Sequence, residues 1–258
     1  MSKPTSPAFD LYEAGIASAR GRLAQDPLVA RLASGDLTPE QMLRTLIEYC
    51  SFGVHMTEPV ESWIRRAGER CSALGYPELG SSLVKHARHE AGHHTMLVAD
   101  TRYLVRVWNN SHVPELDADQ VLLGTPPPSV EEYRELHEST IAGTTPYAQL
   151  AIEYEIERLS VSLGPRVIQQ AVALLGEEVT SRLSFIQEHV ALDVGHTAYN
   201  SRQMASFLGE HPTFVDAMVN AGTRALDTYR GFLAACVEVG SAAPTKQSAR
   251  LEQRRSRA

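Results

Sequence analysis

Phe185-Ile186-Gln187-Glu188-His189-Val190-Ala191-Leu192-Asp193-Val194-Gly195-His196 is the stretch whose reading decides the fold. On an α-helix, at about 100° per residue, His189, Asp193 and His196 fall within a sector of about 60°. Ile186 shares that sector, and Phe185 and Leu192 flank it, so two imidazoles and a carboxylate interrupt a stripe that otherwise faces a core. Burying three such groups without partners is costly. A cation bound by imidazole and carboxylate satisfies all three at once, and the competing reading is a hydrogen-bonded His/Asp network.

A second cluster shifts the balance toward a cation. Lys85-His86-Ala87-Arg88-His89-Glu90-Ala91-Gly92-His93-His94 places four histidines and a glutamate in ten residues. If this stretch is helical, Glu90 and His93 at i, i+3 share a face that continues through Leu97 and Leu104. Such a pair is a two-ligand element of the kind that carboxylate-bridged di-metal bundles use. His86, His89 and His94 read as a polar face, with His94 the main rival to His93.

A third cluster is Ala151-Ile152-Glu153-Tyr154-Glu155-Ile156-Glu157. Glu157 lies on a helical line with Leu150, Tyr154 and Val161, which puts a carboxylate inside an apolar stripe. Bridging two cations is one reason to bury it. Glu155, between Ile152 and Leu159, stays a candidate, whereas Glu153, beside Gln149 and Ser160, reads as solvated. A polar line of Glu48, Ser51, His55, Glu58 and Ser62 reads as a hydrated face, with Glu58 as a further possible carboxylate ligand.

Around these clusters the apolar spacing is helical throughout, with no alternating run that marks a strand. Helices are expected from about Phe9 to Leu32, broken at Asp26-Pro27, and from Pro39 to about Arg70, bent at Pro59. Thr38 and Gln41 supply a capping box for the second of these. Further helices are expected over Pro77–Val107, Val130–Ile141, Pro146–Leu175 with a kink or break at Gly164-Pro165, Glu177–Gly209 and Thr213–Val239. Residues 111–128 read as a loop. Seven or eight helices without repeat or linker make one all-α domain over residues 1–240, a bundle whose facing helices each contribute ligands.

Composition narrows the class. The 258 residues are 43% hydrophobic and 21% charged, ordinary for a globular chain with a sizeable core. No apolar run approaches the roughly 18 residues of a membrane span, and no secretory signal is visible, so a cytoplasmic protein is expected. Cys50, Cys71 and Cys236 form no CxxC pair, which leaves them as small buried hydrophobes rather than disulfide or zinc-thiolate groups. The net charge of −7 divides into +4 after Pro244 and −11 before it. An acidic body argues against nucleic acid as a partner, and residues 241–258 read as a basic, disordered tail.

An all-α chain carrying Glu90-x-x-His93, then Glu157, then His189-x-x-x-Asp193-x-x-His196 followed by Thr197-Ala198-Tyr199 resembles the heme-oxygenase-like di-iron oxidases and oxygenases over roughly residues 40–205. The resemblance implies a heme-oxygenase-like helical bundle and two irons per chain held by Glu90, His93, Glu157, His189, Asp193 and His196. It also implies O₂ as co-substrate and a small-molecule substrate, an amine, amino acid or fatty acid, that is N-oxygenated, desaturated or cleaved at a C–C bond. An external electron donor and a homodimer go with it, and neither nucleic acid nor membrane does. The first histidine is His55, too late for the axial ligand of a true heme oxygenase. The three cysteines lack the aromatic-rich surroundings of a thiaminase-type nucleophile. A metal-free oxidase similar to the pyrroloquinoline quinone synthases is the enzymatic alternative, and a non-catalytic helical binding module is the other. Tyr154, Tyr199, Asn200 and Arg202 lie near the implied ligands along their helices and could orient a polar substrate.

Overall fold

Strong start signals fix several helices. In the computed structural model, which describes residues 6–242, Ser6 accepts from Phe9 N to begin α1 (Pro7–Gln25), and Asp26 both ends α1 and caps α2 (Pro27–Ser34). The Thr38/Gln41 capping box forms as its spacing requires, at the head of α3 (Pro39–Thr57). Pro59 separates α3 from α4 (Val60–Ala73), so the expected bend is a break. There follow α5 (Pro77–Ala87), α6 (His94–Asn109), α7 (Ala118–Leu122) and α8 (Pro128–Ala142). A 3-10 turn over Pro146–Ala148 leads into α9 (Gln149–Leu175), then α10 (Glu177–Thr180), α11 (Ser184–Glu210) and α12 (Val215–Ser241).

Twelve α-helical segments stand among the described residues, against the seven or eight expected, and no strand is present there. Part of the excess comes from subdivision: Asp26 and Pro59 end helices as well as bending the chain, and a five-residue helix, α7, forms inside the expected loop. No helix there is long and apolar enough to cross a membrane. The basic tail expected over 241–258 falls, beyond Ala242, outside the described residues.

Two departures bear on the site. The single helix expected over Pro77–Val107 is broken between Ala87 and His94. Gly92 takes φ +84, a left-handed conformation open to glycine, and the turns around it close at i→i+3, with His89 N on His86 O, Glu90 N on Ala87 O and Thr95 N on Gly92 O. Glu90 and His93 therefore project from a corner between two helices. The second departure is at Gly164-Pro165, where α9 continues without interruption. A Cβ at Gly164 would stand 2.4 Å from Val190 Cγ2, so glycine there permits the close approach of α9 to α11.

One bundle results, with α9 packed on α11 and α12, α3 on α6 and α12, and α4 on α5. Its core contains the fully buried Trp63, Trp108, Tyr12, Phe232, Met42 and Ile64. Cys50, Cys71 and Cys236 are buried and unpaired, as their scattered positions imply. α11 is tied to α6 at its start: Asp100 accepts from Ser184 N (3.1 Å), Ser184 Oγ (2.9 Å) and Phe185 N (3.0 Å). A buried carboxylate of one helix thus caps another, which fixes where the His189–His196 stretch begins.

Candidate metal centre

The corner after α5, the middle of α9 and the first half of α11 bring their polar side chains together in two groups. His86, Glu90, Glu157 and His196 each offer a ligand atom within 4.8 Å of the others, and Glu90, His93 and His189 do the same. Glu90 belongs to both groups, and its two oxygens divide between them. Oε1 faces His86 Nε2 at 3.6 Å and His196 Nδ1 at 3.9 Å, while Oε2 faces His93 Nδ1 at 3.0 Å and His189 Nε2 at 3.9 Å. Glu157 Oε1 lies 3.0 Å from His86 Nε2 and 3.7 Å from His196 Nδ1. One carboxylate thus stands between two groups of side chains, each of which could hold a cation.

Three observations fit the donor set to metal. First, His86 Nε2, Glu157 Oε1 and His196 Nδ1 are buried and lack a hydrogen-bond partner in spite of their closeness, so they converge on common space without pairing donor to acceptor. Second, His189 Nδ1 donates to the Phe185 carbonyl at 2.8 Å, which fixes the tautomer and presents Nε2 as a lone pair toward Glu90. Third, Asn200 Nδ2 donates to Glu157 Oε2 at 2.7 Å and leaves the other oxygen of that carboxylate for the cluster. Imidazole with carboxylate suits Fe, Zn, Cu or Ni, and the absence of thiolate removes the soft sites.

Without a cation the cluster holds charge through protons. Burial works against ionised Glu90, but His189, His86 and His93 around it outweigh that and draw its carboxyl well below the usual range. His86 also loses solvation, yet Glu157 and Glu90 raise it to about 11. Burial pushes the Glu157 carboxyl up. His196 is raised first by Asp193, whose Oδ1 is 3.5 Å from Nδ1.

All six residues that the resemblance implies as ligands thus lie in one region. Five of them belong to the two groups, and Asp193, almost fully buried, stands beside them against His196. His86 corrects the expectation of a spectator, because the last turn of α5 points it inward at Glu157; the Glu90 at i+4 was the available signal. His89 is exposed as expected, and His94 belongs to neither group. Glu155 turns away to Arg20 and Tyr12, and Glu58 is exposed at the end of α3. Glu48 and Ser51 are buried, Glu48 against Arg44, so the line through them is not a hydrated face.

Glu153, expected in solvent, is 7% exposed and faces the interior one turn before Glu157. Its Oε1 accepts from Gln149 Nε2 at 2.5 Å, and burial raises its carboxyl to about 8. Of the four residues considered for orienting a substrate, only Asn200 reaches an implied ligand. Tyr154 donates to Glu13, Tyr199 pairs with Ser82, and the Arg202 guanidinium lies 6.0 Å from the Tyr199 ring.

A cavity of about 140 Å³ opens beside the cluster, bounded by α3, α9, α11 and α12. Glu90, Glu153, Glu157, His189 and Asp193 are among its polar lining, and residues such as Leu46, Ile156, Leu163, Val190 and Phe232 supply apolar wall.

No family model matches the chain, and no curated protein matches it. Solved structures do. A domain of unknown function with a heme oxygenase-like fold from Shewanella denitrificans superposes with a TM-score of 0.66 at 19% identity, covering 89% of this chain and 91% of that one. The fold is heme-oxygenase-like. A TenA homolog from Pseudomonas syringae pv. tomato superposes with a TM-score of 0.64 at 15% identity, covering 92% of this chain and 99% of the other. Within this heme-oxygenase-like bundle the corner after α5, α9 and α11 all lend side chains to the centre, so the fold the sequence implied also brings the implied ligands together.

Proposed function

We propose that the protein is a non-heme di-iron oxidase or oxygenase that uses O₂ to oxidise a small molecule. The observation that carries the reading is the division of Glu90, with one oxygen toward His86 and His196 and the other toward His93 and His189. One half-buried carboxylate between two sets of imidazoles is a geometry that suits a pair of cations. His86, Glu90, Glu157 and His196 would hold one iron and Glu90, His93 and His189 the other, with Asp193 adjacent. When bound, such a centre supplies reductive activation of O₂. Turnover in this reading draws on an external electron donor.

The protein's own groups do the rest. Phe185 O and Asn200 hold His189 and Glu157 in register, and the apolar wall of the cavity excludes bulk water and places substrate against the centre. Burial of all three cysteines, Cys236 included although it lines the cavity, disfavours a thiaminase-type nucleophile. Burial pushes the Cys50 and Cys236 thiols up and that of Cys71 to about 12, far from the thiolate that such chemistry needs.

Anaerobic titration with Fe(II), followed by metal analysis, tests the reading. About two irons per chain are expected, with a transient visible absorption on exposure to O₂. His86→Ala and His93→Ala should each remove about one iron, from different groups. Failure to take up iron, with O₂ consumption retained, would replace the proposal by the metal-free oxidase; failure of both would leave a binding module.

A further inference from the structure

His89 stands in solvent, yet its ring lies against the centre. Its centroid is 5.8 Å from that of His196, and the His196 ring is in turn 5.3 Å from His86. The three imidazoles run inward in series: His89 is exposed, the His196 side chain is 19% exposed and that of His86 7%. The turn that closes His89 N on His86 O keeps both histidines of the α5 corner within reach of His196. Approach from outside is open, since Gly92 and Gly195 are exposed and a Cβ on either would meet nothing within 4 Å. None of His86, His89 and His196 lines the apolar cavity.

We infer that His89 is the entry ligand of the centre, forming with His196 a transient cation site at the surface through which metal reaches the His86 group. The inference rests on the metal reading of the centre and adds to it a route and a residue. Spacing supports the shared site. With metal–nitrogen bonds of about 2.0–2.1 Å, two imidazoles on one cation have ring centres about 5–6 Å apart, which matches both steps of the series. The cavity is the poorer route, because a hydrated divalent cation passing Leu46, Leu163 and Phe232 would shed its water with nothing to replace it. At the corner each lost water is replaced by a ligand: His89 first, then His196, then His86, Glu90 and Glu157, with His89 released to solvent at the end. Only ligands exchange, and no electron moves. Holding the ion on His89 raises its effective concentration beside His196, which speeds filling without changing the final occupancy.

Rapid mixing of the metal-free full-length chain with Co(II), followed by the visible absorption of the bound ion, tests the inference, since Co(II) takes the same imidazole and carboxylate donors. His89→Phe keeps a ring against His196 but offers no nitrogen. It should bind as many ions per chain as the native protein and fill about tenfold more slowly. His89→Asp restores a ligand without the ring and should return the rate to within about twofold of native. The slowing belongs to the His86 group, so it should persist in a His93→Ala background and vanish in a His86→Ala background. An unchanged rate in His89→Phe overturns the inference, and so does a slow His89→Asp, which would make the contact one of packing. Loss of an ion at equilibrium from His89→Phe overturns it too, because His89 would then be a resident ligand. A native chain that takes up no Co(II) removes the metal reading and this one together, whereas full occupancy at the native rate in His89→Phe removes this one alone.

Discussion

Of the three buried glutamates on helix α9, Glu155 and Glu157 stand two residues apart and have opposite environments. Glu155 accepts from Tyr12 OH (2.8 Å), Arg20 Nε (2.8 Å) and Arg20 Nη2 (2.7 Å), so both its oxygens are matched to donors. Arg20 also binds Glu13 through Nη1 at 2.8 Å and Nη2 at 2.9 Å, which closes the network. Glu157, about 200° round the same helix, has Asn200 on one oxygen and only imidazoles near the other. The contrast teaches that burial of a carboxylate does not mark a functional site. What distinguishes the two is whether the surrounding donors complete its coordination, as a bidentate guanidinium does, or leave several acceptors aimed at one point.

The sharpest way to break the comparison is at the residue both cation positions share. In the di-iron reading, Glu90→Ala should abolish binding of both irons, from about two per chain to none by metal analysis, because each group loses its common carboxylate. Retention of one tightly bound iron would show that the bridge is not a bridge. Next come the paired substitutions on α9. Glu155→Gln should lower stability by about 3 kcal/mol in urea unfolding while leaving the iron count intact, since it strands a largely buried Arg20. Glu157→Gln should do the reverse, costing about 1 kcal/mol or less in the metal-free chain and losing one iron. Equal effects on stability and metal in the two variants would erase the distinction.

Asn200→Ala probes a supporting contact and should weaken binding at the His86 group by about 10–100-fold, read by competition with a chelator, with the His93 group unaffected. The smallest effect is expected from a buried polar group outside both clusters. His137 stacks on Trp63 at 4.0 Å and takes a hydrogen bond from Gln149 on Nδ1; burial lowers its pKa from 6.5 to about 3. Its folded value is below its unfolded one, so the native state binds fewer protons between those limits. The contribution to stability is fully present above about pH 6.5 and is lost as pH falls from there toward 3. His137→Phe should therefore shift the acid-unfolding midpoint down by on the order of half a pH unit. An unchanged midpoint would mean that His137 titrates normally in the folded chain.

Much of this was legible from residue order. The Thr38-Pro39-Glu40-Gln41 box and the Asp26-Pro27 boundary appear where local chemistry places them, because caps depend on atoms three residues apart. Glu157, His189, Asp193 and His196 stand out in the sequence because polar groups interrupting an apolar stripe are costly without partners, whereas the full set with Glu90 and His93 comes from the family resemblance. His86 was missed for an equally physical reason. Periodicity treated Pro77 to Val107 as one helix and could not register the break at Gly92, which changes how His86, Glu90 and His93 face one another. Glu153 was misread because its nearest neighbours along the helix face, Gln149 and Ser160, are polar; Gln149 is itself completely buried.

What the sequence determined by itself is the all-helical bundle and the chemical type of its centre, imidazole with carboxylate, since helical spacing and side-chain chemistry are both local properties. Tertiary structure alone decided which of three buried glutamates on α9 meets an arginine, which meets histidines, and which faces the cavity. That choice depends on what α1, α5 and α11 present opposite each one, and distance in space between helices leaves no trace in the spacing along any of them.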